Sequence, residues 1–138
     1  MGWDTIMVRS YLSIKSDSSM NRFRFEDLEI WKEAIEIAIL LFRIADKLEE
    51  KRLWRFADQL RGVGLGMPNN ISESTGTDMV GEQQQLLRYS RRECYEGANM
   101  IVILEKERHI SPDEKEEVYQ RLHILSKRIT AYSRSLAF

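Results

Sequence analysis

Between Glu26 and Leu48 the chain reads EDLEIWKEAIEIAILLFRIADKL, and its apolar positions fall into two adjacent stripes rather than one. At ~100° per residue, Trp31, Ile35, Ala38, Ile39 and Phe42 share the first stripe. Ile30, Ala34, Ile37, Leu41, Ile44 and Leu48 form the second beside it. Glu29, Lys32, Glu33, Glu36, Arg43 and Lys47 are left one narrow polar arc, with Asp46 at its edge. A surface helix needs an apolar face of only ~100°. The second stripe therefore predicts a partner, and Ile30, Ile37, Leu41, Ile44 and Leu48 are expected at a subunit interface.

Three further helices follow. The second is expected from about Leu53 to Ser74, with Phe56, Leu60, Val63, Gly64, Met67 and Ile71 on one face. Its middle holds Gly62, Gly64, Gly66 and then Pro68. No strand precedes these glycines and no Gly-Lys-Ser/Thr follows, which argues against a phosphate-cradling loop. A helix kinked at Pro68, with glycines admitting a close neighbour, fits better. After a loop at Gly76–Gly81, the third helix is expected from Glu82 to Arg108. Leu87, Ser90, Cys94, Ala98, Ile101 and Val102 make its core stripe. Tyr89, Met100 and Ile103 lie on another side, a second sign of an extra interface. The fourth opens on Ser111 as N-cap, Pro112 at the first helical position and Glu114 closing a capping box. Val118, Leu122, Leu125, Ile129, Tyr132 and Leu136 then form a single stripe. The expectation is all-α: an antiparallel, up-down-up-down four-helix bundle over 21–138. Residues 1–20 lack sustained periodicity and are expected to be a disordered extension, from which Trp3, Tyr11 or Leu12 alone would dock. The organised pattern begins directly after Met20, which makes Met20 a candidate native start.

Composition narrows the class without naming a reaction. The 138 residues carry a formal net charge of −1, so whole-chain charge does not push toward nucleic acid. The distribution is uneven: residues 26–51 hold eight acids against four bases. Cys94 is the only cysteine, which rules out an intrachain disulfide and suits a reducing compartment. There is no secretory apolar region, and the run at Ile39–Phe42 is too short to span a membrane. A cytoplasmic protein is expected.

Candidate chemistry is sparse. A di-iron bundle needs inward glutamates with Glu-x-x-His pairs. Neither His109 nor His123 has a glutamate three residues before it, and Glu33/Glu36 and Glu93/Glu96 lie off the core stripes. Cys94 falls on the apolar stripe, and neither histidine is near it in sequence. No catalytic residue, metal, cofactor or small-molecule substrate is expected. Arg88, Arg92, Tyr95, Asn99 and Lys106 share one arc of roughly 60° on the third helix. One reading is a solvated face paired with the acidic arc of another helix. The other is an RNA surface, with arginines on phosphates and the aromatic on a base. Arg91 projects toward the core edge, where a charge needs a partner; Asp58 or Glu73 on the second helix is the expected one.

Several segments together carry a family resemblance. Phe23-Arg24-Phe25-Glu26-Asp27-Leu28-Glu29-Ile30-Trp31-Lys32-Glu33-Ala34 resembles the start of the four-helix-bundle proteins encoded in intervening sequences of bacterial 23S ribosomal RNA genes. Asp58-Gln59-Leu60-Arg61 resembles that family's second-helix motif. Met67-Pro68-Asn69-Asn70-Ile71-Ser72-Glu73 resembles its Ile-Pro-Ser-Asn-Ile-Ala-Glu segment. Ser90-Arg91-Arg92-Glu93-Cys94-Tyr95-Glu96 resembles its Ala-Arg-Gly-Ser-Leu-Ala-Glu segment. The chain departs at Gly62, Gly64 and Gly66, at Ser74 in place of a glycine, and at Arg92-Glu93 in place of Gly-Ser. The resemblance implies a bundle that assembles into a ring, a homopentamer, with the second helix continuous through Pro68. It implies no enzyme. RNA or a ribonucleoprotein is the partner it suggests; similar bundles also serve as accessory subunits of reverse transcriptases. Asp58, Arg61, Asn70, Glu73, Arg91 and Glu96 match family positions and form a polar signature, read either as a ligand pocket or as an inter-helix network.

Overall fold

The structure, a computed structural model, describes residues 5–7, 9 and 21–137. Thr5–Met7 and Arg9 are helical and exposed. The remainder of 1–20, including Trp3, Tyr11, Leu12 and Met20, lies outside the described residues, so the expected extension and start site do too. A 3-10 turn at Arg24–Asp27 precedes four long helices: α1 (Glu29–Glu50), α2 (Trp54–Ser74), α3 (Val80–Lys106) and α4 (Pro112–Ser135). No strand occurs among the described residues. The expected start of the first helix at Glu26 falls in the 3-10 turn; Leu28 is extended and α1 begins after it. Phe25 packs on Trp31 with ring centroids 5.1 Å apart, which ties the turn to α1.

Local chemistry sets the helix ends. Ser111 Oγ accepts the Glu114 N–H at 3.1 Å, and the Glu114 carboxylate accepts the Ser111 N–H at 3.4 Å, so the expected capping box is formed. α1 and α3 end alike. Arg52 and Arg108 both adopt a left-handed φ of 63°. The next amide reaches back to the helix, Leu53 N–H to the Leu48 carbonyl at 2.9 Å and His109 N–H to Leu104 at 2.8 Å. These are Schellman closures built on arginine rather than glycine. α2 is helical without a break through Pro68, although proline leaves the Gly64 carbonyl without its usual amide.

Cross-helix pairs give the helix directions. Arg61 reaches Asp46 and Glu49, while Phe42 meets Gly64, so α1 and α2 run oppositely. Ser90 Oγ donates to the Met67 carbonyl, and Glu93 lies on Gly66, so α2 and α3 do also. Gln84 reaches Ser133 and Arg91 reaches Thr130, which makes α3 and α4 antiparallel. Glu33 pairs with Arg128, Glu36 with Arg121 and Lys47 with Glu114, closing α4 against α1 in the same sense.

The core corrects the reading of α1. Ile30, Ile37, Leu41, Ile44 and Leu48, expected between subunits, are buried within this one chain together with Ala34 and Ala45. They pack among Leu60, Met67 and Ile71 of α2, Leu87, Ile101 and Leu104 of α3, and Leu122 and Leu125 of α4. It is the first stripe that stays partly open: Ile39 is 47% exposed, and Trp31, Ile35 and Phe42 are half-buried. Periodicity reveals two adjacent faces but cannot say which one meets the bundle. The positions of α2 and α4 decide that. Met100 is likewise a core residue, at 8% exposure, whereas Tyr89 and Ile103 are exposed.

Candidate nucleic-acid interface

The arc expected on the third helix exists as an outward face. Arg88, Arg92, Tyr95, Asn99 and Lys106 are all exposed on α3, and Tyr95 is 65% exposed. The alternative in which an acidic arc neutralises them is not what the structure shows. The acids of α1 turn to α4 and α2, through Glu33–Arg128, Glu36–Arg121, Asp46–Arg61 and Glu49–Arg61. Among the described residues, α3 takes part in no ion pair, whereas every base of α1 (Lys32, Arg43, Lys47) is in one. Arg88 donates only to the Gln85 side chain, a neutral acceptor on its own helix.

Arg91 differs from the expectation. Its guanidinium donates to Thr130 Oγ1 of α4 at 3.2 Å and pairs with neither Asp58 nor Glu73. The reason is rotational: Arg91 sits on the α4 side of α3, while Asp58 and Glu73 are exposed on α2. The six signature residues therefore do not converge. Arg61 joins α2 to α1, holding Glu49 at 2.6 Å and Asp46 at 3.0 Å. The Arg61 hydrogen bond, with Arg43 adding to it, holds the Asp46 carboxyl below the usual aspartate range. Asp58 stands 3.9 Å from Arg61 and is 80% exposed. Asn70 Nδ2 donates to the Gly66 carbonyl of its own helix at 2.9 Å. Glu96 lies beside Glu93, not beside Arg91. Neither a single pocket nor a single network is formed.

The feature that sequence reasoning missed is Glu93. Its side chain lies against Gly66, so close that a Cβ there would fall 2.9 Å from Glu93 Cδ. Burial, and after it the charge and hydrogen bond of Glu96, push the Glu93 carboxyl above the usual glutamate range. The signal was available as Gly66 opposite a residue the family pattern makes small, but only the α2–α3 packing shows that the carboxyl fills the gap. Cys94 is buried, and burial pushes its thiol up to about 12, with Glu93 adding to the effect. Such a thiol is protonated at neutral pH and is a poor nucleophile. His109 stacks near Phe56, ring centroids 6.3 Å apart.

Two concavities mark the surface besides the arc. Between α1 and α2, an apolar groove of about 270 Å³ is lined by Trp31, Ile35, Ile39, Phe42, Leu65 and Pro68. Along the α3–α4 seam lie a pocket at Tyr95, Tyr119 and His123 and a groove at Arg88, Arg91 and Arg134. No helix among the described residues is long and apolar enough to cross a membrane.

Comparison with known proteins places these features. No curated protein matches the chain. A solved structure from Bacteroides thetaiotaomicron, described as a protein of unknown function from the S23 ribosomal protein family, superposes with a TM-score of 0.72. The match covers 75% of this chain and 97% of that one at 15% identity, and at that identity it shows the shared helical fold alone. The model of the 23S rRNA-intervening sequence protein family matches residues 26–131, from the turn before α1 to within the last turns of α4. Because that match takes in all four helices, the chain belongs to the 23S rRNA-intervening sequence protein family.

Proposed function

We propose that this protein is a non-enzymatic scaffold that self-associates and binds RNA through α3. The observation that carries the reading is the unpaired charge on that helix. Arg88, Arg92 and Lys106 stand exposed beside Tyr95 and Asn99 without one carboxylate partner. Cations left uncompensated on a face with an exposed aromatic suit phosphates and a stacked base. The thiol of Cys94 is buried and protonated, and the two histidines stand apart from it in the sequence, which supports a binding protein over an enzyme.

Self-association is the second half of the reading, and the family suggests a ring of five. The α1–α2 groove supports it, because Ile39 and Leu65, 47% and 54% exposed, leave a continuous apolar patch open to solvent. The same groove supports a second reading, a protein-interaction module that docks a helix of another protein, such as a polymerase it serves as accessory subunit.

Salt-titrated RNA binding tests the first half. Wild type should bind a single-stranded RNA oligonucleotide with an affinity that falls steeply with salt. Arg92→Gln with Lys106→Gln should weaken binding and flatten the salt slope by about 1. No binding at 50 mM salt and tens of micromolar protein would leave the protein-interaction reading. Light scattering tests the second half, and a wild-type monomer at tens of micromolar would overturn it.

A further inference from the structure

The α3–α4 seam holds an aromatic pocket and an arginine groove end to end. In the pocket, Tyr95 of α3 faces Tyr119 and His123 of α4 over an apolar floor that includes Cys94. Its volume is about 240 Å³, smaller than the ~300–1,000 Å³ of drug-sized sites, and so suited to one flat ring. In the groove, Arg88 and Arg91 of α3 face Arg134 of α4, with the Thr130 hydroxyl between them. No carboxylate lines either concavity. Arg91 and Tyr95 are one helical turn apart, as are Thr130 and Ser126, so the two sites adjoin at a step of about 6 Å.

Arg91 shows what the groove lacks. Its half-buried guanidinium has five N–H donors, and the hydrogen bond it makes goes to the neutral Thr130 hydroxyl. Neither Arg88 nor Arg134 has an acidic partner that could serve all three. A partly desolvated cation wants a counter-charge, and a phosphodiester supplies one in the plane that guanidinium groups recognise. Lys115 adds positive charge at the other end, 4.7 Å from the Tyr119 ring centroid.

We infer that the α3–α4 seam is a track for a single-stranded nucleic acid, one base stacking between Tyr95, Tyr119 and His123 while a neighbouring phosphate sits among Arg88, Arg91 and Arg134. This rests on the RNA reading above and deepens it, by adding α4 residues that the exposed arc of α3 does not contain. A duplex is excluded by the geometry, because a paired base cannot enter the pocket without leaving its stack.

The test uses the full chain and a fluorescein-labelled 12-nucleotide RNA of mixed sequence. Its duplex, the same sequence as DNA, and a version carrying abasic sites serve as further arms. The expected result is at least 10-fold tighter binding to the single strand than to the duplex. Arg134→Gln and His123→Ala, both at exposed α4 positions, should each weaken it about 3- to 10-fold with unchanged melting temperatures. Abasic sites should weaken wild type but change His123→Ala less, since the stacking partner is already gone. If the α4 variants bind like wild type while Arg92→Gln does not, the seam is overturned and the RNA reading stands. If DNA binds more tightly than RNA, the seam stands and the RNA reading falls. Equal affinity for duplex and single strand overturns the pocket.

Discussion

The ring of Phe42 on α1 occupies the place where a side chain at position 64 of α2 would begin: a Cβ on Gly64 would lie 2.7 Å from Phe42 Cε1. The two helices approach this closely because position 64 has no side chain. A Cβ on Gly62, two residues earlier, would meet nothing within 4 Å. Gly64→Leu is therefore expected to destabilise by about 1–3 kcal/mol through overpacking. Gly62→Ala should be neutral or stabilising by up to ~1 kcal/mol. Denaturant midpoints check the pair; the reverse order would mean that Phe42 swings aside at little cost.

The two stripes of α1 separate folding from association. Leu41 is fully buried, so Leu41→Asp should cost at least the ~2–5 kcal/mol of a core truncation, with a buried charge added. Ile37→Asp should act alike, and both should lose helicity by circular dichroism. Ile39→Asp and Leu65→Asp, in the open groove, should change stability by no more than about 1 kcal/mol. Light scattering should then show the groove variants folded and less associated than wild type. Groove variants as associated as wild type would send the self-association surface elsewhere.

Arg52 and Arg108 hold the left-handed turn after α1 and α3, at φ 63° each. A non-glycine residue there costs roughly 1–2 kcal/mol of backbone strain, part of which glycine returns through its freer unfolded chain. Neither arginine forms an ion pair among the described residues that would offset the loss. Arg52→Gly and Arg108→Gly should each stabilise by up to about 1 kcal/mol, additively, since the sites cap different helices. A drop in urea midpoint for either would reveal a native contact made by that side chain.

Glu93 sets a pH dependence of defined sign. Its carboxyl is raised in the folded chain, chiefly by burial and then by Glu96. The fold therefore binds that proton more tightly than the unfolded chain does. This stabilisation is complete below the ordinary glutamate pKa of about 4.3 and is lost as pH rises through the raised folded value. At neutral pH an ionised Glu93 is a burden, which Glu93→Gln relieves. The variant should melt above wild type at pH 7, and the difference should shrink toward pH 4. A difference of equal size at both pH values would place its origin in packing against Gly66 rather than in charge.

The sequence by itself determined the four helices, the Ser111 cap, the core stripe of α4 and the exposed arc of α3, because each depends on spacing within one element. The ordered motifs likewise carried the family. What periodicity could not decide was rotation. Two apolar stripes lie side by side on α1, and only the placement of α2 and α4 buries Leu41 and leaves Ile39 at the surface. The same limit misplaced Arg91, whose partner proved to be Thr130, and hid Glu93, whose carboxyl fills the space over Gly66. It also hid the seam, where Tyr119, His123 and Arg134 come from a helix whose sequence reads as ordinary. Local propensity and spacing act along one helix axis, whereas a partner for a charge, a gap over a glycine or a pocket between rings is a property of two helices at once.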